Sequence, residues 1–230
     1  CIMALMQGRL LATKFHIPAW KGSGLSRHRL LDQLNMGLEQ GRKLTLVSAP
    51  AGYGKTTLAS SWIHNLGSDV RCSWLSIDET DNSLERFFKY WLTALFSLDD
   101  STRERLEDLV SLPRLPSASV LLDDMINILS SLERPGMIVL DDYHLISNSE
   151  IHEALEYFIN HQPPLIHMVY LTREDPPLPL ARLRAGRQVT EIRAHDLRFT
   201  AVEAKQFFAE AAAKDLDDRF IEALEARTEG

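Results

Sequence analysis

A glycine-rich segment at residues 49–56, Ala-Pro-Ala-Gly-Tyr-Gly-Lys-Thr, contains the residue types that bind phosphate. It fits the pattern G-x-x-x-x-G-K-[ST], with alanine in place of the first glycine. Gly52 and Gly54 let the backbone turn so that successive N–H groups point at phosphate oxygens. Lys55 is expected to reach the β- and γ-phosphates of ATP, and Thr56 to place its hydroxyl on Mg²⁺. The predicted nucleotide-binding residues of this segment are Ala51, Gly52, Tyr53, Gly54, Lys55, Thr56 and Thr57.

Two adjacent carboxylates, Asp141 and Asp142, follow the apolar run Met137–Leu140. A phosphate-loop ATPase needs an acid on a neighbouring strand to hold Mg²⁺ through its water shell, and we predict that Asp141 does so together with Thr56. We predict that Asp142 orients and deprotonates an attacking water, with Lys55 as the second catalytic residue. The alternative is that both acids only cap the loop after the strand.

Arg173 follows another apolar run, and His144 lies two residues after the acidic pair. Ligands of open α/β sheets lie at the carboxyl ends of strands, where the Arg173 guanidinium could bind a γ-phosphate. Spacing alone nevertheless favours a surface arginine that pairs with Glu174 or Asp175. His144 is interpreted as a structural histidine, with a hydrogen bond inside the site as the alternative.

The elements that must position these residues alternate along the chain. Strand-like apolar runs lie at 44–47, 70–77, 137–140, 166–171 and 189–192, and helical spacing of apolar residues separates them. This alternation predicts an α/β fold, the three-layer sandwich of a P-loop NTPase with a five-stranded parallel sheet. It also gives the glycine-rich segment a preceding strand and a following helix, which argues against a turn that binds nothing.

We predict a nucleotide-binding domain over residues 1–195, in which residues 1–26 form an arm with little pattern. Residues 196–230 are predicted to be the first helices of a truncated helical subdomain, and Thr200 and Glu203 form a capping box at its start. Asp81 and Asn82 are expected to cap the helix that follows them. The basic stretch at 182–187 is expected to be a solvated loop.

Composition limits the classes of function. The 230 residues carry a net charge of −7 and are 45% apolar, so a full core is possible and nucleic-acid binding by the chain itself is disfavoured. No apolar run approaches the roughly 18 residues of a membrane span. The two cysteines, Cys1 and Cys72, lack metal-ligand spacing and fit a reducing cytoplasm. We therefore expect a cytoplasmic protein with no membrane partner.

Several further segments carry a family resemblance. They are LLATKFHIP, LSRHRLLDQL, KLTLVSAPAGYGKTT, WLSIDETDN, VLDDYHLI, TREDPPLPLARLRA, DLRFT and EARTEG. Together they resemble the nucleotide-binding domain of MalT-like, ATP-binding LuxR-type transcription regulators, which belong to the STAND class of signal-transduction ATPases.

The resemblance implies an ATP-dependent cytoplasmic switch that activates transcription. Arg27 matches the family's adenine-side arginine, although Ser26 replaces the usual preceding glycine, and Arg173 matches the family's sensor arginine. The implied partners are ATP, the remaining domains of a parent regulator and a second copy of the parent in its ATP state. DNA binding is implied only for a C-terminal region of the parent that this chain does not contain.

Three functions remain open from the sequence. The first is a weakly hydrolysing switch that converts ATP and water to ADP and phosphate. The second is a P-loop kinase that transfers the γ-phosphate to a small molecule or a nucleic acid, for which Pro176–Arg187 could imitate a lid. The third is a nucleotide-binding module without turnover.

Overall fold

The computed structural model describes residues 10–20, 27–200 and Glu203, and this part of the chain is built on one parallel sheet. The strands are β1 (Leu44–Ser48), β2 (Arg71–Ser76), β3 (Gly136–Asp141), β4 (Ile166–Thr172) and β5 (Val189–Arg193). They pair in the order β2-β3-β4-β1-β5, and every pairing is parallel. The expected five-stranded parallel α/β sheet is therefore confirmed.

Helices cover the sheet. They are α1 (His28–Glu39), α2 (Lys55–Asn65), α3 (Leu84–Leu95), α4 (Asp100–Val110), α5 (Ala118–Leu129), α6 (Ser149–His161), α7 (Leu180–Ala185) and α8 (Ala194–Leu197). Short 3₁₀ turns lie at Ala12–Phe15, Glu79–Asn82 and Tyr143–Leu145. Within the described ranges, none of the helices has the length and apolarity needed to cross a membrane.

The core has two parts, one on each face of the sheet. Ile138 and Leu140 of β3 pack with α3 to α6 on one face, whereas Met137 and Val139 pack with α1 and α2 on the other. This alternation follows from the two-residue period of a strand. Because both faces are covered, the strands read as continuous apolar runs in the sequence.

The strand order corrects one expectation. The acidic pair was expected on a strand next to that of the phosphate loop, but β4 lies between β1 and β3. The register aligns their ends, with Ser48 opposite Thr172 and Leu140 opposite Tyr170. The residues that follow β1, β3 and β4 therefore meet at one edge of the sheet.

The expected caps of α3 are wrong. Ser83 occupies the N-cap position, and Asp81 lies in the preceding 3₁₀ turn, where it is 1% exposed. The Lys14 ammonium lies 2.5 Å from Asp81 and 2.7 Å from Asp78. The described part of the N-terminal arm is thus a docked segment, because a buried carboxylate needs a cation beside it.

The basic stretch before β5 was expected to be a solvated loop, and this expectation is wrong. It contains α7, whose Leu180 and Leu183 are buried, and Arg184 pairs with Glu191 of β5 at 2.8 Å. A helix held by two buried leucines and an ion pair is a poor imitation of a mobile lid.

The capping box at the end of the described chain is confirmed. The Thr200 amide donates to Glu203 Oε2 at 2.7 Å, and the Glu203 amide donates to Thr200 Oγ1 at 3.2 Å. The remaining helical residues expected after 203 lie outside the described residues. The domain boundary at 195/196 therefore stays a prediction.

Replacing Gly37 by Ala should destabilise the fold. Alanine in a helix normally adds about 1 kcal/mol of stability relative to glycine. At Gly37, however, a Cβ would lie 2.0 Å from Thr190 Oγ1 on β5, so α1 would have to move. We expect a net loss of about 1–2 kcal/mol, within the usual range for overpacking, measured by urea denaturation. Thr190→Ala in the same background should recover part of the loss, and a Gly37→Ala protein more stable than wild type would contradict the packing.

Candidate functional site

The phosphate loop joins β1 to α2 and turns at its two glycines. Gly52 and Gly54 have φ of +84° and +78°, in the left-handed region that favours glycine. Ala49, which replaces the first glycine of the motif, has no positive φ, and its amide donates to Thr172 O at 3.2 Å. Alanine is therefore tolerated there, because that position needs no left-handed backbone.

The N-terminus of α2 points its amides into the loop. Gly54 is the N-cap residue and offers no side chain, so no side-chain cap satisfies the first turn. Such a helix end carries unpaired N–H groups and a partial positive charge. Both features suit an anion held by the loop.

Lys55 is fixed by the loop itself. Its Nζ donates to the carbonyl oxygens of Ala49 and Pro50, at 2.8 and 3.0 Å. An ammonium group has three donors, so one remains for an anion in the loop. Burial, the largest influence, lowers the pKa of Lys55, while Asp142 and Asp141 raise it and Arg173 lowers it.

Thr56 and Asp141 meet although 85 residues separate them. The Thr56 hydroxyl lies 3.2 and 3.1 Å from the two carboxylate oxygens of Asp141, which is 5% exposed. Burial, followed by the charge of Asp142, raises the pKa of Asp141 to about 6. The hydroxyl and carboxylate oxygens are hard ligands of the kind Mg²⁺ prefers, so the two residues fit that ion.

Asp142 differs from Asp141 in both backbone conformation and exposure. Its φ is +56°, a conformation that Asp adopts more readily than most residues, and its amide donates to Asp141 Oδ1 at 3.0 Å. Its side chain is 47% exposed and lines a cavity beside the phosphate loop. The two adjacent acids thus have different surroundings, as separate metal-binding and base roles would require.

Arg173 lines the same cavity as an exposed cation. It has no ion-pair partner among the residues that the structure describes. Asp175, one of the acids expected to pair with it, instead contacts Arg193 and lies 3.4 Å from Arg184. Pairing with Asp175 is therefore wrong.

The cavity has a volume of about 320 Å³, at the lower end of the range of small-molecule sites. Its lining residues are Ala51, Gly52, Gly54, Lys55, Thr56, Thr57, Asp142 and Arg173. A loop of amides, two cations and a carboxylate at the carboxyl edge of a parallel sheet together suit a polyphosphate.

Residues 38–173 match a protein family described as an AAA domain. This chain belongs to that family. The matched range includes the phosphate loop and the acidic pair, and it ends at Arg173.

Curated relatives match a longer part of the chain than the AAA domain does. The chain is 40% identical over 199 residues to the HTH-type transcriptional regulator MalT of Serratia proteamaculans, and 38% identical over 202 residues to that of Klebsiella pneumoniae. Each match covers 86% of this chain but only 22% of the relative. The chain thus spans about a fifth of the length of these regulators, and its resemblance to MalT-like proteins is confirmed over that part.

A solved structure shares the fold. It is a Signal Transduction ATPase with Numerous Domains (STAND) protein with a tetratricopeptide repeat sensor from Pyrococcus horikoshii. The TM-score is 0.58 at 14% identity, and the match covers 87% of this chain and 27% of the other.

Two predicted nucleotide-binding residues, Tyr53 and Arg27, are not among the residues that line the cavity. Tyr53 is 36% exposed, and Arg27 contacts the segment after β5. The Arg27 guanidinium donates to the Arg198 carbonyl at 2.9 Å, lies 3.7 Å from Glu203 and sits over the ring of Phe199. Burial is the main cause that lowers its pKa. The structure does not bring Arg27 to the phosphate loop.

His144 is the residue that sequence reasoning undervalued. Its side chain is 10% exposed and its Nδ1 lies 3.8 Å from Asp142 Oδ1, yet neither buried ring nitrogen has a hydrogen-bond partner among the described residues. The signal was its position two residues after the acidic pair, at the carboxyl edge of the sheet.

Asp141 should destabilise the nucleotide-free AAA domain above about pH 6. Its pKa is raised from 3.8 to about 6 on folding, so the ionised form opposes folding once pH passes this range. Roughly two pKa units correspond to at most about 3 kcal/mol. Asp141→Asn should therefore add about 1–3 kcal/mol of stability at pH 7.5 and almost none near pH 4, measured by denaturant unfolding.

Asp175→Asn is the matched control for this prediction. The hydrogen bond from Arg193 lowers the pKa of Asp175, so its ionised form favours folding above its unfolded pKa. Its amide variant should lose stability at pH 7.5. If both variants were more stable than wild type at pH 7.5, the cause would be a general effect of removing negative charge. That result would contradict a specific destabilisation by the buried Asp141 carboxylate.

Proposed function

We propose that this chain is the ATP-binding, slowly hydrolysing switch domain of a signal-responsive, bacterial-type transcriptional activator. The observation that carries the proposal is the convergence of Lys55, Asp142 and Arg173 on one cavity, with the Thr56–Asp141 contact behind it. The similarity to MalT regulators supports the regulatory part of the proposal.

Binding relies on the loop amides and Lys55. The amides at the start of α2 and the third donor of Lys55 take the phosphates of ATP or ADP, while Ala51, Gly52, Tyr53, Gly54 and Thr57 complete the loop. Arg27 is proposed for the adenine side. To bind the base, Arg27 would have to give up its contacts with Arg198, Phe199 and Glu203, which would connect nucleotide binding to those residues.

Hydrolysis needs a base and charge neutralisation. Thr56 and Asp141 would hold Mg²⁺, which supplies charge neutralisation at the phosphate oxygens. The exposed Asp142 carboxylate takes a proton from the attacking water, and the bond between the γ-phosphorus and the bridging oxygen breaks to release ADP and phosphate. Slow turnover suits a switch, because the ATP state must last long enough to act.

The switch requires a connection from the γ-phosphate to the rest of the parent protein. Arg173 begins a turn in which the Thr172 hydroxyl donates to the Glu174 carbonyl at 2.8 Å. The next residue, Asp175, is ion-paired to Arg193 at the end of β5. A change in the position of Arg173 would thus act on the end of β5.

From β5 the contacts continue into the last described residues. The Arg193 amide donates to Asp196 Oδ2 at 2.8 Å, and Arg29 of α1 donates to the Asp196 carbonyl at 2.7 Å. Arg27 adds its contact with Glu203. These contacts are a physical route by which phosphate occupancy could bias the position of the following helical subdomain.

In the parent, we propose that the ATP state favours self-association in the cytoplasm. DNA would be bound by a region outside this chain. The net charge of −7 supports this division, because phosphate backbones attract basic surfaces.

Radiolabelled ATP should identify the reaction of the 230-residue chain. We expect free labelled phosphate. A labelled acceptor would instead indicate a kinase, and the absence of any product would indicate a binding module.

Lys55→Ala, which removes the fixed cation, should weaken Mg·ATP binding more than tenfold, about 1.4 kcal/mol or more. Asp142→Asn should keep ATP binding within about threefold and release no phosphate, whereas Asp141→Asn should reduce the Mg²⁺ dependence of binding. Identical behaviour of the two Asp variants would contradict their separate roles.

Arg173→Ala should lower the affinity for ATP while leaving the affinity for ADP nearly unchanged. The guanidinium faces the cavity without an ion-pair partner in the described structure, so it is available to the γ-phosphate, the only group by which the two nucleotides differ. We expect ADP affinity within about threefold of wild type and ATP-analogue affinity lower by about 1.5–3 kcal/mol, the range for charged hydrogen bonds. Calorimetric titration with ADP and a non-hydrolysable ATP analogue measures both. Equal losses for both nucleotides would make Arg173 a structural residue.

A further inference from the structure

The unpaired His144 ring needs an explanation. Both of its nitrogens are buried without a hydrogen-bond partner in the described residues, although an apolar side chain would fill the same place without leaving polar atoms unsatisfied. The ring lies in the 3₁₀ turn Tyr143–Leu145, directly after the acidic pair. A buried polar group of this kind points to a partner that it meets in another state of the protein.

The charges around the ring identify that partner. Asp142 lies 3.8 Å from Nδ1, slightly too far for a hydrogen bond. Burial is the largest cause that lowers the pKa of His144; Arg173 and Lys55 also lower it, whereas Asp142 and Glu174 raise it. The ring is therefore close enough to Lys55, Asp142 and Arg173, which line the candidate phosphate cavity, to be influenced by their charges.

A neutral imidazole matches these neighbours chemically. It has one N–H donor and one nitrogen lone pair. A carboxylate only accepts hydrogen bonds and a guanidinium only donates them, so one neutral ring can satisfy both at once. Neither phenylalanine nor leucine could do so.

We propose that His144 is a positioning residue that links the base Asp142 to Arg173 when ATP occupies the cavity. The imidazole donates to the Asp142 carboxylate and accepts from the Arg173 guanidinium, whose remaining donors stay available for the γ-phosphate. The residue then fixes the base and the γ-phosphate contact in the same state. This inference rests on the proposed function and assigns a role within its site.

The test compares His144→Phe with wild type in the 230-residue chain. Phenylalanine fills the same space but removes both hydrogen bonds. We expect ADP affinity within about twofold of wild type, at least fivefold weaker binding of a non-hydrolysable ATP analogue, and at least tenfold slower single-turnover hydrolysis. His144→Asn, which keeps a donor and an acceptor, should be closer to wild type in both measurements.

His152→Phe is the matched control. His152 is hydrogen-bonded to the Tyr143 hydroxyl at 2.6 Å and is not among the residues that line the cavity, so its loss perturbs the same turn without removing a lining residue. We expect it to change the melting temperature but neither the ratio of ADP to ATP-analogue affinity nor the hydrolysis rate. If His144→Phe does not fold by circular dichroism, His144→Ala removes the same two nitrogens and takes its place.

Three results would overturn the positioning role: His144→Phe equal to wild type, His152→Phe as impaired as His144→Phe, or His144→Asn no better than His144→Phe. In each of them wild type would still bind and hydrolyse ATP, so only this inference would fall. A wild-type chain that binds neither nucleotide would instead remove the proposed function, and this inference with it.

Discussion

The hydrogen bond between the Thr56 hydroxyl and the Asp141 carboxylate joins the phosphate loop to a strand two positions away in the sheet. It can form only if β1, β4 and β3 end at the same height, which the parallel register provides. It also requires a carboxylate that is 5% exposed and lies beside a second acid, an arrangement that raises its pKa to about 6. Burial of this carboxylate disfavours its ionised form, so it costs stability that a neutral residue at the same place would not cost.

The phosphate loop shows how preorganisation is divided between backbone and side chain. The left-handed glycines and the uncapped end of α2 aim the amides, and the loop carbonyls of Ala49 and Pro50 hold Lys55 in place. Little rearrangement is then needed to receive an anion, so less of the binding free energy is lost to ordering the site. Asp142, which has a left-handed backbone, also lines the cavity.

A network of ion pairs lies next to the candidate site, at the ends of β4 and β5. Ion pairs of Asp175, Arg184, Glu191 and Arg193 tie the turn after β4 to β5, and the capping box of α8 continues from there. Isolated surface ion pairs contribute little to stability, but a connected set fixes the geometry of the elements it joins. This network lies between Arg173 and residues 194–200, where the proposed switch requires a connection.

The sequence by itself determined the elements and the chemistry of the phosphate loop. Periodicity of two or 3.6 residues is local, so the five strands, the helix after the loop and the Thr200–Glu203 capping box could all be found without coordinates. The strand order could not, because every strand buried on both faces is a similar apolar run and nothing local says which pairs with which. The placement of β4 between β1 and β3 is what brings Arg173 beside the phosphate loop.

Contacts between distant segments were likewise decided only by the tertiary structure. The docking of Lys14 on Asp81, the pairing of Asp175 with Arg193, and the contact of Arg27 with Glu203 join residues from 18 to 176 positions apart. The unpaired ring of His144 belongs with them, since its meaning depends on which charges the folded chain brings around it. Ion pairs form between side chains that are close in the folded structure, whereas a sequence pattern shows only which residues are close along the chain.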